Sequence, residues 1–458
     1  MHAYILRRLL LMVPTLFGIT VVVFGIMVAA PGGVSPETLT AGQNLDPEAR
    51  KALEAYYNRR YGLDDPAPVQ YLRWLNSISP VGFLIQPDGG LGAFSWTKGM
   101  DLGDSFRYGR PVADLIAERL PITLLLNALS IPLVYLVAVT VGLQAARQRG
   151  SAFDTGSGLA LLALWSVPTM LAGVLFIGFF ASDQYWQWFP TAGTLSSAGQ
   201  AMTFLPHWGT ALDALKALVG AGLGVVVGLG VARLPRSWRI LTGAAAGLIL
   251  GGLWGAALPD GGRVAPVVLA LALAGLLGGA AGASVAVLRT GVLGGTGLLA
   301  GLLVAAAAME ADFVRGYLLD RAWHLVLPVL TLSYGGIAFL AKLTRSSVLE
   351  NLHSDYARTA RAKGLPEGEV MWRHVFRNSL LPLVTVAATL LPALLSGSVI
   401  VESIFSIEGM GKLAVEAVTG RDRELVLSIT LISGLLTLAG ELLADILYAV
   451  VDPRVSYD

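Results

Sequence analysis

The residues closest to a phosphate-binding loop lie at 406–413, which read Ser-Ile-Glu-Gly-Met-Gly-Lys-Leu. A P-loop needs a glycine, four residues, then Gly-Lys followed by a hydroxyl residue, so that backbone amides cradle phosphate and the hydroxyl holds Mg2+. Here Gly411-Lys412 lacks both the first glycine and the hydroxyl, so the chain is not expected to bind or hydrolyse nucleotide. The five histidines show no His-Glu-x-x-His spacing for a hydrolytic metal. His353 and His374 fall in a polar segment, while His207 and His324 stand apart without an evident partner. The absence of cysteine removes thiolate ligands, disulfides and a thiol nucleophile together. No catalytic residue, metal or cofactor is expected.

Carboxylates inside an apolar helix would be the other reactive feature, since they mark ion-coupled transport. Glu441 and Asp445 are the candidates. A rise of about 1.5 Å per residue from residue 425 puts them roughly 24 and 30 Å along their helix, near an interface and not at a midplane.

The most informative polar stretch is 342–377, where seven Lys or Arg face four acids. Ser354 or Asp355 suits a helix N-cap, Gly364 a stop, and Pro366 prevents continuation, which predicts one short helix over 355–363. A second helix should begin near Pro366, carry the Glu369 and Arg373 pair at i,i+4 spacing, and run toward Leu381-Pro382. The pattern describes a stiff elbow whose expected task is to seat in another protein and transmit force.

What positions that elbow must be a bundle of membrane helices. Of 458 residues, 55% are hydrophobic and 14% charged, where a soluble domain carries about 25% charged residues. Apolar runs of about 20 residues recur, and without the period-2 alternation of a membrane β-barrel only helices can satisfy the backbone in lipid. The net charge of +1 comes with no continuous basic stripe, so nucleic acid is not an expected partner. The positive-inside rule places 342–377 in the cytoplasm.

Residues 1–30 read as a first transmembrane helix; its apolar run, 9–28, exceeds the 7 to 15 residues of a signal-peptide core. Residues 31–120 form a mixed polar stretch with Trp74 and Trp96, expected as a small extracytoplasmic domain. Two spans follow within 121–190, at 123–143 and 158–180. Arg147 and Arg149 mark the inner side, and the aromatic run Tyr185-Trp186-Gln187-Trp188-Phe189 marks the outer rim, where such belts are common, although it could also dock a partner. The core closes in 322–458 with spans at 325–341, 380–400 and 425–450.

The block 201–321 contains four Gly- and Ala-rich apolar stretches at 212–232, 240–257, 265–288 and 291–308. Arg233, Arg236 and Arg239 follow the first, and Arg289 follows the third, which favours four crossings. Small residues recur at four-residue spacing, as Gly224 with Gly228 and Gly243 with Gly247. The pattern permits close helix approach, and compositional drift is the alternative.

The motif Arg358-Thr359-Ala360-Arg361-Ala362-Lys363-Gly364, followed by Arg373-His374-Val375-Phe376-Arg377-Asn378, resembles the coupling loop of ATP-driven import permeases. The family loop generally reads Glu-Ala-Ala, three residues, Gly, and later Leu-Pro; here Arg358-Thr359 and Phe376-Arg377 replace parts of it, as in the first permease subunit of peptide and nickel importers. Tyr4-Ile5-Leu6-Arg7-Arg8-Leu9, Asp101-Leu102-Gly103-Asp104-Ser105-Phe106, Arg119-Leu120-Pro121, Val401-Glu402-Ser403-Ile404-Phe405 and Asp452-Pro453-Arg454 agree with it, and 201–321 falls outside it as an insertion.

That resemblance implies an all-α polytopic membrane protein of the bacterial inner membrane, with six core spans and both termini cytoplasmic; four insertion helices bring the total to ten. It further implies a second permease subunit, two ATP-binding subunits and an extracytoplasmic solute-binding protein as partners. Asp355, Tyr356, Arg358, Thr359, Ala360, Arg361, Lys363 and Gly364 would meet the ATP-binding subunits. Ser396, Gly397 and Ser398 are the small and polar positions of 380–400, expected on the pore. Serines in membrane helices more often bond to backbone.

Overall fold

The computed structural model describes residues 2–29, 46–62, 64–86, 90–208, 210–256, 264–283, 285–309 and 313–451. In chain order its elements are α1 (His2–Ala29), α2 (Pro47–Tyr61), α3 (Ala67–Ile78), β1 (Gly82–Ile85), β2 (Leu91–Ser95), α4 (Val112–Arg147), α5 (Ala152–Ser166), α6 (Thr169–Phe180), β3 (His207–Trp208), α7 (Ala211–Val231), α8 (Arg236–Ala256), α9 (Val264–Ala281), α10 (Ala286–Ala307), β4 (Phe313–Val314), α11 (Gly316–Leu352) and α12 (Asp355–Ala362). A helical turn at Glu367–Glu369 and a π-helical stretch at Val370–Phe376 lead into α13 (Arg377–Ile404), followed by α14 (Met410–Thr419) and α15 (Arg423–Val451).

Among the described residues, six helices are long and apolar enough to cross a membrane, namely α1, α4, α7, α10, α11 and α15. The bent pair α5 and α6 makes a seventh if it counts as one span.

The first compact unit comprises 1–127, 387–403 and 408–458. Here α1 lies along α15: Arg8 Nε donates to Asp445 Oδ2 at 2.7 Å, and Phe24 shares a buried cluster with Leu427 and Leu431. Tyr71, Trp74 and Ile78 on one face of α3 complete that cluster, and the Tyr71 and Thr20 hydroxyls bond at 2.9 Å. Pairing of β1 with β2 forms a small antiparallel hairpin beside α3. Val112, Leu115 and Ile116 pack with Met410, Leu413, Ala417 and Leu425 in a second cluster.

The second unit comprises 128–386 and 404–407. Its long helix α11 meets α4 closely, since a Cβ on Gly142 would stand 2.6 Å from the Ala341 carbonyl. Asp154 at the start of α5 takes both Nε and Nη2 of Arg345 at 2.6 and 2.8 Å. A two-pronged carboxylate grip of this kind fixes direction as well as distance.

Two expected spans are corrected. Residues 158–180 do not form one straight helix, because α5 and α6 meet at a bend of 100°. Pro168 has no amide hydrogen and pushes Val167 into extended backbone, with ψ 121. The carbonyl freed at Val167 accepts the Tyr334 hydroxyl at 2.6 Å, which stabilises the break. The stretch 265–288 is likewise not one helix: α9 ends at Ala281, and 286–288 already belong to α10.

The block after residue 208 packs as two tight pairs, α7 with α10 and α8 with α9. On α7, Gly220, Gly224 and Gly228 abut the backbone of Gly301, Gly297 and Leu293; a Cβ on Gly224 would sit 2.1 Å from the Gly297 carbonyl. Gly243 and Gly247 do the same against Leu277, Leu273 and Ala274 of α9. Of the two readings of the glycine pattern, close helix approach is the one observed. Pairing of β3 with β4, His207 with Val314 and Trp208 with Phe313, brings the two ends of the block together.

Candidate coupling site

Helix α12 is short and strongly two-faced. Ala357 and Ala360, three residues apart, are buried, whereas Asp355, Tyr356, Arg358, Thr359, Arg361 and Lys363 are exposed. The two alanines enter a cluster with Leu143 and Ala146 of α4, Val348 of α11, and Val370, Met371 and Val375 of the π-helical stretch. Small side chains let the helix backbone lie close against that cluster, so the whole elbow rests on a rigid base. Of the eight residues expected to meet a partner, the structure places Ala360 inside; its place is in the seat.

Both ends of α12 are pinned. The Gly364 amide donates to Arg361 O at 2.9 Å and Leu365 N to Ala360 O at 3.3 Å, the paired bonds of a Schellman stop, with Leu365 packed on the same apolar cluster. Gly364 has φ +79, which a side chain tolerates poorly, and the space around its Cα is open. Arg361 donates to both carboxylate oxygens of Glu367 at 3.0 and 2.9 Å and to Leu352 O at 3.2 Å, joining the end of α11, α12 and the next turn. That guanidinium holds the Glu367 carboxyl below the usual range. At the N-terminus Ser354, one of the two expected caps, is the capping residue, but its side chain accepts no amide bond; its hydroxyl donates to Asn351 O at 2.6 Å.

Outward from this seat, Arg358 reaches Asp355 at 3.6 Å with its side chain 71% exposed, and Tyr356 bonds to Asn351. The second arm carries the expected Glu369 and Arg373 ion pair at 2.5 Å. Trp372, Arg373, His374, Phe376, Arg377 and Leu380 line an open recess of about 830 Å³. The arrangement offers an exposed basic helix face beside a recess lined by Trp372 and Phe376, both seated on one apolar cluster.

Of the pore expectation, the side chains of Ser396 and Gly397 lie outside the described residues. Ser398 is fully buried and lines a cavity of about 260 Å³ with Thr123, Val399, Gly411, Ser433 and Thr437. Beside it lies a carboxylate to which the sequence reading gave no role. Glu402 is completely buried, accepts the Thr123 hydroxyl at 2.7 Å and Lys412 N at 2.9 Å, and occupies the space a Cβ on Gly409 would need. It pins the loop before α14 to the end of α13. Its signal was its presence in Val401-Glu402-Ser403, a charged residue ending an apolar run.

Two histidines also differ from expectation. His324 is not without a partner, since its Nδ1 lies 2.8 Å from Asp320 O; His207 Nδ1 lies 3.0 Å from the Thr203 hydroxyl.

Comparison with known proteins follows from both ends of the chain. Residues 1–127 match the family described as binding-protein-dependent transport system membrane component, N-terminal. Residues 266–457 match the binding-protein-dependent transport system inner membrane component, a match that begins inside the block read as an insertion. Over 457 residues, covering 100% of both chains, the sequence is 30% identical to the oligopeptide transport system permease protein AppB of Bacillus subtilis (strain 168). The chain belongs to the binding-protein-dependent transport permeases. A putative peptide transport system permease protein of Brucella abortus (strain 2308) is 28% identical to this permease over 459 residues, with 100% of both chains covered. The inner membrane ABC transporter permease protein YejB of Escherichia coli O157:H7 is 25% identical over 495 residues at the same coverage. The permease is thus a mostly helical inner-membrane transport component.

Proposed function

We propose that this permease is one of two membrane subunits of an ATP-driven importer of peptides or similar small solutes, served by two ATP-binding subunits and an extracytoplasmic solute-binding protein. Coupling runs through α12. The observation that carries this reading is its two-faced seat: Ala357 and Ala360 are locked into the core, while Asp355, Tyr356, Arg358, Thr359 and Lys363 are left for a partner. A helix held this way moves with its base, so a push on α12 reaches α4 and α11 directly. The relatives named for oligopeptide and peptide transport support the solute class.

Ion-coupled transport is the competing reading, and it needs carboxylates free to exchange protons. Asp445 instead pairs with Arg8, Asp154 with Arg345, and Glu402 is held by Thr123 and Lys412. These fixed partners favour structural roles.

In this reading the chain crosses the membrane ten times with both termini inside. The β3 and β4 clasp supports an even number of crossings for the block it closes, because a chain that leaves and returns at one point must end on the side where it started. Four crossings keep Arg233, Arg236 and Arg239 on the inner side, avoiding about 2.5–3.5 kcal/mol for each at a helix centre.

Because the chain has no cysteine, a single-cysteine scan tests topology and coupling together. Arg358→Cys and Lys363→Cys are expected to cross-link to an ATP-binding subunit in the assembled transporter. Asp260→Cys, in a segment outside the described residues, should react with a membrane-impermeant thiol reagent in intact spheroplasts, while Ser237→Cys and Thr290→Cys should not. External labelling at 237 or 290 would leave two crossings or a re-entrant block instead of four.

A further inference from the structure

The inner ends of the four block helices meet at a concentration of positive charge. Arg236 and Arg239 lie in the first turn of α8, Arg289 in the first turn of α10, and Arg233 in the turn before α8. These ends are packed together: Ile240 fills the space beside Gly282, and Ala232, Ala281 and Leu293 form one buried cluster. Arg239 is only 8% exposed. Its Nε and Nη1, together with Nε of Arg289, are buried without a hydrogen-bond partner among the described residues. Among the described residues, the charges acting on Arg239 are Arg289 and Arg236, both of its own sign.

This arrangement opposes ordinary helix electrostatics. A helix N-terminus carries a partial positive charge and favours an anion, yet two such ends each bring an arginine in place of an acid. A guanidinium cannot shed its proton to relieve burial, so a buried, unpaired one is costly unless a counter-charge arrives from outside the chain. The planar fork of arginine suits the tetrahedral oxygens of phosphate.

We infer that Arg239, Arg289 and Arg236 form a binding site for a phosphate-bearing anion between the N-termini of α8 and α10. The shared ligand chemistry is a phosphate monoanion or diester, supplied either by the headgroup of an anionic phospholipid or by free phosphate. Exposed Trp238 beside it is suited to the headgroup layer, and basic pockets between membrane helices hold anionic headgroups. When filled, the site neutralises the repulsion that otherwise pushes α8 from α10, so the anion acts as a fifth element holding the two helix pairs together.

The test uses the purified full-length chain with two probes. Phosphatidylglycerol is titrated into phosphatidylcholine nanodiscs and its retention is counted by native mass spectrometry; inorganic phosphate is titrated by calorimetry. The wild-type chain is expected to retain phosphatidylglycerol, and Arg239→Gln and Arg289→Gln are each expected to weaken retention about five- to tenfold. Saturable phosphate binding that the same variants lose, without lipid retention, would assign the site to free phosphate. Should Arg239→Gln fail to fold, Arg289→Gln, which changes a half-buried side chain, carries the comparison. Equal behaviour of wild type and folded variants toward both probes would overturn the site.

Discussion

Replacing Ala357 by aspartate is expected to reduce substrate uptake to background while the chain still reaches the membrane. Ala357 is completely buried on the inner face of α12, in a cluster of hydrophobic side chains that includes Val348, Val370 and Val375. A lone carboxylate there costs on the order of 3–5 kcal/mol. Eight helical residues cannot hold their seat against such a penalty, because a helix this short has little stability apart from its packing. α12 should therefore detach while α11 and α13, anchored elsewhere, remain folded. Co-purification of the ATP-binding subunits and peptide uptake by whole cells check this; loss of both with normal membrane expression is the expected result. Glu350→Ala serves as the control, since it changes an exposed side chain of α11 that belongs neither to the seat nor to the partner face of α12. Normal uptake by Ala357→Asp would separate α12 from coupling.

Gly224→Leu is expected to separate α7 from α10. Even a methyl group on Gly224 would lie 2.1 Å from the Gly297 carbonyl and 3.1 Å from Gly301 Cα, and both obstacles are backbone, so no rotamer change relieves the clash. Overpacking of this kind costs about 1–3 kcal/mol, and more when main chain must move. A fall in detergent melting temperature, with new protease cleavage within 209–312, is the expected signature. Gly222→Leu, one position on a face with nothing nearby, should leave both unchanged. If the two variants behave alike, the glycine contacts do not hold the block.

Much of this was readable beforehand for identifiable reasons. Gly364 and Pro366 are local signals, and they placed the end of α12 within a residue of where it falls. Arg233 and Arg236 similarly marked the turn between α7 and α8, whereas Arg289, expected after the third stretch, lies within the first turn of α10. Hydropathy averages over windows, which hid the bend at Pro168 even though the proline was in view. The direction of Ala360 was available from its three-residue spacing to Ala357, but two small residues make a weak apolar face. Glu402 escaped because its partners, Thr123 and Lys412, belong to other parts of the chain. β3 and β4 are two residues each, too short for any alternation to show.

ATP-dependent uptake in proteoliposomes is the most direct test of the central claim. Vesicles holding this permease with its second membrane subunit and two ATP-binding subunits, supplied with the solute-binding protein outside, should accumulate labelled peptide only when ATP is enclosed. Omitting the ATP-binding subunits should abolish uptake. Accumulation by the permease alone, driven by an imposed proton gradient and indifferent to ATP, would contradict the account.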